Sequence, residues 1–350
     1  MKPICASIAL GLLFVMPAVP LPVTAAAAAV RTLPAHRDHA SQLHAFRLPE
    51  GYIRLINAPL QASLDPTVTV QGLSSGTFHG FPAWLVKTPY ATAAISVFGG
   101  QLLSFVPRGG RDVLWLSPLT GLPPVPTRGG TPVCWPYFAK MGQDRTMPSH
   151  GLVRTAAWSM REARREADGT VVLRLMPPDL NGLPLRLTMT LRIGSTLTQT
   201  LVTENISDDP VVFTEALHNY FQVSDVRKVS VSGLDGLTYL DKKDDGHAHT
   251  QHGNWQLQPQ GYSDRIYTRA TGPYVLHDPG LGRNIRIVTR GSHSTVVWNA
   301  GQQAARRIED IGAGWSHYLA VETANVAPDA IELQPGERHE LEQVIAVDSR

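Results

Sequence analysis

The stretch LRLTMTLRI, residues Leu185–Ile193, decides the fold class, because apolar and polar side chains alternate strictly along it. Alternation with a period of two is typical of a β-strand that buries one face. A turn sequence follows at Gly194-Ser195, and a second alternating stretch runs from Leu197 to Thr203. The two stretches and the short turn between them predict an antiparallel β-hairpin.

Strand patterns continue on both sides of this hairpin. After a polar turn at Asn205–Pro210 we predict one strand over Val211–Phe221, in which His218 lies on the same face as Tyr220. Further strands are predicted at Ala94–Phe98, Val171–Leu175, Ile285–Val288, Ser294–Trp298 and Leu341–Val347, with one short helix at Gln302–Ile308. The sequence contains 30 Gly and 27 Pro, which indicates many turns. We therefore predict an all-β protein without internal repeats.

The N-terminus is typical of a secretory signal peptide. Lys2 precedes an apolar run at Ile8–Met16, and small residues with several cleavage choices follow at Thr24–Ala29. A transmembrane anchor is the alternative, but the apolar run is shorter than the roughly 20 residues that a spanning helix needs. We predict a signal peptide over residues 1–29, an extended lead-in over 30–72 and one domain over 73–350. The mature protein would be exported, to the periplasm or outside the cell, with no membrane segment.

Charge and cysteine content exclude several classes of protein. The 31 Lys and Arg nearly balance the 29 Asp and Glu, and they are scattered along the chain. Nucleic-acid binding requires clustered excess cations, so we predict no nucleic-acid partner. Removing the signal peptide removes Cys5 and leaves Cys134 alone, which excludes an intrachain disulfide. The apolar neighbours of Cys134 favour a buried structural thiol over a nucleophile.

Several clusters of polar residues lie along the predicted strands and the loops between them. A histidine and a glutamate on a strand-rich scaffold can move two protons at once, and nearby arginines can hold an oxygen-rich or anionic substrate. The clusters are RGGTP at 128–132 with Trp135-Pro136, HGLVR at 150–154 with Trp158, LHNYF at 217–221, SDRIY at 263–267, WN at 298–299 and VE at 321–322.

Together these clusters resemble the glucose-6-phosphate 1-epimerase (hexose-6-phosphate mutarotase) family, within the aldose 1-epimerase, galactose-mutarotase-like group. The resemblance covers about residues 75 to 350 and implies a single-domain antiparallel β-supersandwich. It also implies an isomerase that opens and recloses an aldose ring without a metal or other cofactor. The expected partner is a small sugar or sugar phosphate, and we expect a monomer.

The resemblance implies a role for each polar residue. Glu322 matches the general base that takes the O1 proton, and His218 matches the general acid that protonates the ring oxygen. We expect an ionised Glu322 to raise the pKa of His218 and keep it charged near neutral pH. The family's substrate-binding positions are matched by Arg128, Arg154 and Asp264. His150 is a further candidate for a hydrogen bond to the substrate.

Structural roles remain open for these residues at this stage. A histidine or a glutamate in a strand is often a half-buried structural residue, the arginines could form ion pairs, and Asp264 could close a turn. Ser149 stands where the family usually has glutamine, which removes one amide contact to substrate. Ala139 and Ala300 also replace a family glycine and a family proline.

Alternative functions and sites also remain open. An exported protein could instead act on free sugars as an aldose 1-epimerase, or bind carbohydrate without turnover. A glycan-degrading enzyme is a third possibility, but a glycosidase normally needs two apposed carboxylates. The segment that contains His247, His249 and His252 has the density of a metal site. Its glycine and polar content favours a solvated loop instead, so we predict no metal.

Overall fold

The computed structural model describes residues 43–59, 69–259 and 261–349. The predicted signal peptide lies outside the described residues, as do residues 30–42 and 60–68 of the lead-in. The described chain is built almost wholly from antiparallel strands, in two eight-stranded sheets, one four-stranded sheet and one two-stranded pair. The prediction of an all-β antiparallel fold is confirmed. Among the described residues, no helix has both the length and the apolar character needed to cross a membrane.

The first large sheet, here called the front sheet, carries the polar clusters. Its strands are β5 (Val133–Cys134), β11 (Glu215–Leu217), β12 (Tyr220–Gln222), β14 (Thr238–Asp241), β15 (His247–Thr250), β16 (Ser263–Thr268), β19 (Ser294–Asn299) and β20 (Tyr318–Asn325). Their order is β15-β14-β16-β19-β20-β11-β5, and β12 also pairs with β20.

The second large sheet, the back sheet, contains the hairpin predicted from the sequence as β8 and β9. Its strands are β6 (Ser159–Arg165), β7 (Val171–Met176), β8 (Leu185–Ile193), β9 (Leu197–Asn205), β13 (Ser230–Ser232), β17 (Tyr274–Asp278), β18 (Arg283–Arg290) and β22 (Arg338–Ser349). Their order is β13-β17-β18-β22-β9-β8-β7-β6.

The remaining elements are short. The small sheet contains β1 (Leu73–Phe78), β2 (Phe81–Lys87), β3 (Ala91–Ser96) and β4 (Leu102–Pro107), and β10 (Val211–Phe213) pairs with β21 (Ile331–Leu333). The two α-helices are α1 (Tyr52–Ile56) and α2 (Gly301–Ala305). Helix α2 is shorter than the predicted Gln302–Ile308.

The core lies between the front and back sheets. Alternate residues of the back-sheet hairpin, from Leu185 to Leu201, are fully or nearly fully buried. They belong to one apolar cluster with front-sheet residues such as Leu217 and Val321, and with residues of the small sheet. The opposite face of the front sheet is therefore free to carry the polar groups.

Two expectations about local structure were wrong. The stretch Val211–Phe221 forms three strands instead of one, because backbone pairing is interrupted at Thr214 and again at His218-Asn219. The lead-in is not wholly extended, since α1 forms within it. Tyr52 and Leu55, three positions apart, both pack against the main core, which favours one helical turn over an extended chain.

Candidate active site

His218 and Glu322 lie opposite each other on the face of the front sheet that points away from the main core. The pairs Leu217↔Thr323 and Tyr220↔Ala320 bracket them in the same antiparallel register. Directly opposite residues of an antiparallel pair have their side chains on the same face. The Nε2 atom of His218 lies 3.4 Å from Oε1 of Glu322.

The interruption at His218-Asn219 is held by the Asn219 side chain. Its Nδ2 donates to the carbonyl oxygen of Val321 (3.0 Å) and to Oε1 of Gln343 (2.8 Å). Its Oδ1 accepts from the Thr131 hydroxyl (3.0 Å) and from Nε2 of Gln343 (2.9 Å). The His218 backbone N–H donates to the carbonyl oxygen of Pro132 (3.0 Å). Full use of the amide fixes the backbone from which His218 projects.

The pair is buried but incompletely satisfied. His218 is 8% exposed and Glu322 is 1% exposed. Nδ1 of His218 and Oε2 of Glu322 are buried without a hydrogen-bond partner. Because buried polar atoms in folded proteins are nearly always paired, two orphaned atoms in adjacent functional groups point to a ligand that completes them.

The electrostatics of the pair differ from the sequence-based expectation. Burial lowers the pKa of His218 well below its usual value, and electrostatic interactions with the neighbouring His150, Arg128 and Arg154 lower it further. Burial also raises the pKa of Glu322 well above its usual value, although the charge of Lys242 opposes this. The expectation of a raised His218 pKa was wrong, because loss of water disfavours charge on both groups. Burial thus favours the neutral form of both side chains.

Aromatic rings enclose His218. The Tyr220 ring stacks on the imidazole with a centroid distance of 4.6 Å and an interplanar angle of 5°. Trp298 meets His218 edge to face at 6.2 Å, and it stacks on Tyr318 at 5.6 Å. These contacts restrict the imidazole to one orientation and form an apolar wall beside it.

Arg128 is held by two side chains at the edge of this wall. Its Nε donates to Oδ1 of Asp310 (3.1 Å), and its Nη1 donates to the Tyr220 hydroxyl (2.8 Å). Gly129 follows it with a φ of 108°, and a side chain there would overlap the backbone of Trp115 and Leu116. The glycine is required because only a residue without Cβ fits this approach. From this position Arg128 acts electrostatically on His218.

Arg154 is placed by the turn at His150-Gly151. Gly151 has a φ of 85° and lies so close to the Trp135 backbone that no Cβ could be accommodated. Arg154 is half-buried, and it acts electrostatically on both His150 and His218. Within the described part of the chain it has no ion-pair partner. It is therefore a cation available to a ligand.

His150 is fixed in one tautomer. The Ala139 backbone N–H donates to Nδ1 (3.3 Å), and the Cys134 sulfur lies 3.4 Å from the same nitrogen. Burial and nearby cations, Arg154 first, lower the pKa of His150 to about 3. The ring is therefore neutral, with its proton on Nε2. Its centroid lies 5.7 Å from that of His218, so it can offer one N–H to a ligand beside the pair.

Asp264 lies on β16 opposite Trp298 of β19, which is the partner strand of β20. It accepts a hydrogen bond from the Tyr262 hydroxyl (3.1 Å) and forms an ion pair with Lys242 at 3.8 Å. Burial raises its pKa, and Lys242 and Tyr262 oppose the rise. The structure thus brings all six predicted residues around one face of the front sheet.

Sequence reasoning missed two charged residues at this site. Lys242 pairs with Asp264, lies 5.4 Å from the Phe138 ring centroid and acts on Glu322. Asp310 holds Arg128. Lys242 lies just before the histidine-rich segment that has the density of a metal site, and Asp310 follows a short helix with no motif around it. No signal in a single sequence distinguished either residue from a surface charge.

The histidine-rich segment is not a loop. His247–Thr250 forms the edge strand β15, because its backbone pairs with β14. His249 hydrogen-bonds Asp244 at 2.8 Å, and all four residues of the strand are exposed. No group of three or more His, Cys, Asp or Glu side chains is arranged to hold a metal ion among the described residues. Cys134 is buried, as predicted, and burial raises the pKa of its thiol.

Comparison with known proteins assigns the family. The model of the family described as "Aldose 1-epimerase" matches residues 82–346. The chain belongs to the aldose 1-epimerase family. It is thus an isomerase of the epimerase type, and its substrates are aldoses.

Relatives agree with this assignment. Proteins provisionally named glucose-6-phosphate 1-epimerase are 32% identical in Escherichia coli K12 (69% of this chain, 82% of that protein) and 32% identical in Salmonella typhimurium LT2 (76% and 90%). The crystal structure of a provisionally named mutarotase from Salmonella typhimurium superposes with a TM-score of 0.73 at 28% identity. The superposition covers 85% of this chain and 99% of the Salmonella typhimurium chain. The galactose-mutarotase-like fold implied by the sequence is confirmed.

Proposed function

We propose that this epimerase interconverts the α and β anomers of a hexose 6-phosphate through His218 and Glu322. The observation that carries the proposal is the buried His218–Glu322 pair, 3.4 Å apart, with one unsatisfied atom on each side chain. A hemiacetal placed across the pair would present O1 to the carboxylate and its ring oxygen to the imidazole. The names of the relatives support the same reaction.

The chemistry requires one proton shared between two groups. Ionised Glu322 takes the proton from O1 while protonated His218 gives its proton to the ring oxygen, and the C1–O5 bond breaks. After rotation about C1–C2 both transfers reverse, so that the ring closes on the other face with no net proton change. Proton transfers of this kind contribute about 10² to 10⁴ in rate. One proton on the His218–Glu322 pair is therefore enough for both ring opening and ring closure.

The phosphate is assigned from the unmatched positive charge. Arg128 and Arg154 both act on His218, and Arg154 has no acidic partner in the described part of the chain. A guanidinium group binds a phosphate through two parallel N–H···O bonds. Asp264 and the neutral His150 would bind sugar hydroxyls, as acceptor and donor respectively.

Anomer exchange measured by NMR tests this function directly. The purified protein is expected to accelerate exchange of glucose 6-phosphate, and His218→Asn and Glu322→Gln are each expected to abolish the acceleration while retaining the fold. Near-native exchange by either variant would refute the role of that residue. A wild type that prefers glucose or galactose to the phosphate ester would identify an aldose 1-epimerase of free sugars, and binding without exchange would identify a carbohydrate-binding protein.

We also propose that the protein is an exported monomer. The apolar run Ile8–Met16 and the small residues after it support export, and the near balance of charge offers no basic surface to a nucleic acid. Fractionation of cells expressing the chain, with N-terminal sequencing of the product, tests export. Light scattering tests the monomer, which a molar mass near twice that of the single processed chain would contradict.

A further inference from the structure

The surroundings of His218 oppose the protonated form that ring opening requires. The groups that face it come from several parts of the fold, and among the described residues only Glu322 of these groups is acidic. They are Glu322 on β20, Tyr220 on β12, Trp298 on β19, Arg128 before β5, and His150 and Arg154 after β5. Two permanent cations near one imidazole disfavour a third positive charge.

The arginines are positioned to transmit a change in charge to His218. Arg128 donates to the Tyr220 hydroxyl, and the Tyr220 ring lies flat against the imidazole at 4.6 Å. Arg154 has no acidic partner among the described side chains, so its full charge acts on His218. A ligand that neutralises these two groups therefore changes the electrostatics of His218 without touching it.

We propose that the anionic group of the substrate is part of the acid–base machinery: bound by Arg154 and Arg128, it supplies the counter-charge that allows His218 to hold the proton for ring opening. This inference rests on the function proposed above. It goes beyond it in that the phosphate raises the rate of the chemical step and does not serve for binding alone.

The physical step is a proton shift within the pair. Burial favours protonated Glu322 and neutral His218. A phosphate dianion bound by the arginines offsets their repulsion of imidazolium, while the charge of Lys242 stabilises the carboxylate. The proton then moves from Oε1 to Nε2 across 3.4 Å, and the pair becomes carboxylate and imidazolium. No proton enters or leaves the site.

The test separates the sugar from the anion. D-xylose has the ring of glucose but lacks carbon 6 and so leaves the anion position empty, which inorganic phosphite can then occupy. Anomer exchange of xylose is measured by NMR with and without phosphite at constant ionic strength, and enzyme-free exchange is subtracted because dianions catalyse the reaction themselves. Phosphite is expected to raise the enzyme-dependent kcat for xylose about 10-fold or more, the equivalent of one pKa unit in the protonation of His218.

Variants assign the effect to the arginines. Arg154→Met is expected to remove most of the activation, and Arg154→Lys to retain part of it. Arg161→Met is the matched control, because Arg161 is an exposed arginine of β6 and has no ion-pair partner in the described part of the chain. Circular dichroism and thermal unfolding confirm that each variant is folded. The Arg161 variant is expected to respond to phosphite as the wild type does.

The possible outcomes are distinct. If phosphite competes with glucose 6-phosphate but leaves xylose exchange unchanged, the anion is only bound and the inference is wrong. If phosphite neither competes nor activates, the arginines form no anion site and the inference is again wrong. Activation that persists in Arg154→Met also overturns it. A wild type that exchanges neither glucose 6-phosphate nor a free sugar contradicts the proposed function itself.

Discussion

The guanidinium groups of Arg128 and Arg154 differ in what they already bind. Arg128 is tied to Asp310 and to Tyr220, whereas Arg154 has no acidic partner within the described residues. An arginine with an existing ion pair retains less charge for a ligand. The two residues should therefore behave differently when each is removed, although the motifs present them as equivalent.

Replacing Arg154 with alanine is expected to raise KM for glucose 6-phosphate about 10- to 100-fold, because a charge-assisted contact of about 1.5–3 kcal/mol is lost. KM for free glucose should change little. Arg128→Ala should instead slow exchange of both sugars, since it also releases Tyr220 from its hydrogen bond beside His218. Steady-state anomer exchange on the two substrates measures this. Equal losses on both sugars in Arg154→Ala would contradict phosphate binding.

Lys242 should set the acid limb of the pH profile. Its charge lowers the pKa of Glu322, which burial raises. Removing that charge in Lys242→Met raises the pKa further, so that a higher pH is needed to form the carboxylate. The acid limb of kcat/KM is expected to move to higher pH, and Lys242→Arg is expected to restore it.

The neighbouring Lys243 provides the control for this experiment. It is exposed and lies over the Tyr262 ring at 5.1 Å. Lys243→Met should leave the pH profile in place. An unchanged profile in Lys242→Met would mean that this lysine acts only through its ion pair with Asp264.

At this scale the sequence predicts chemical identity better than electrostatics. His218 and Glu322 could be predicted because each lies in a recognisable motif. The direction of the His218 pKa could not, because it depends on burial and on arginines that lie 64 and 90 positions away in the chain. Lys242 was overlooked for the same reason, since its partner Asp264 lies on another strand.

Among the elements, the interruption between β11 and β12 matters most to the site. It places His218 opposite Glu322 while Asn219 turns inward and bonds Thr131, Val321 and Gln343. Asn219 therefore joins the active face of the front sheet to β22 of the back sheet. The site depends on a side chain that faces away from it.

Asn219→Ala is expected to lower the free energy of unfolding by about 2–3 kcal/mol, because several buried polar groups lose their partner. It should also lower kcat, as the His218 backbone loses its anchor. Urea unfolding and anomer exchange measure the two effects. Asn284→Ala is the control, since Asn284 is half-buried and makes one side-chain hydrogen bond, with His277. The control should cost less than about 1 kcal/mol, and an equal cost in both variants would contradict the anchoring role.

The elements that could be predicted were those with regular alternation. The hairpin of β8 and β9 was predicted because every second side chain enters the core. The breaks at Thr214 and His218-Asn219 were not, because side-chain hydrogen bonds to distant segments cause them. Strand β15 was also missed, since its exposed, polar residues form a strand only by pairing with β14.

For the molecule as a whole, the interface between the sheets contains an unusual carboxyl group. Glu215 is completely buried, and its oxygens lie near Asn325 (3.3 Å), Thr203 (3.4 Å) and His339 (3.3 Å). Burial raises its pKa to about 8, although the hydrogen bonds from Asn325 and Thr203 oppose the rise. The folded protein therefore keeps a proton that the unfolded chain releases near pH 4.5.

Stability should consequently fall as pH rises toward 8. With one more proton on the folded state, the free energy of unfolding decreases by about 1.4 kcal/mol per pH unit. His339 opposes this slope at lower pH, because burial lowers its pKa to about 4 in the folded protein while the unfolded chain holds the proton up to about pH 6.5. The fall in stability is therefore clearest above pH 6.5. Urea unfolding at several pH values measures the slope. Glu215→Gln should flatten it, and an unchanged slope would show that another group is responsible.

The overall architecture was predictable because the alternation of apolar and polar residues that produces it recurs along whole strands. Strict alternation in β8 and β9 requires a second layer to cover the apolar face, and the motif order implied which family of sandwiches it would be. Strand order was beyond reach of single-sequence reasoning. The neighbours of β22, for example, are β18 and β9, whose first residues, Arg283 and Leu197, are 86 positions apart in the chain.

The position of β22 has a consequence for the timing of folding. A ribosome delivers β9 and β18 well before Arg338–Ser349, which must lie between them. Until that strand emerges, β18 and β9 are left as additional open edges of the back sheet, and Gln343 is not present to bond Asn219. Contacts so distant in the chain form slowly. A nascent chain should therefore remain inactive and vulnerable to aggregation until Arg338–Ser349 has emerged, and the appearance of anomer exchange would mark the moment at which this central strand is inserted.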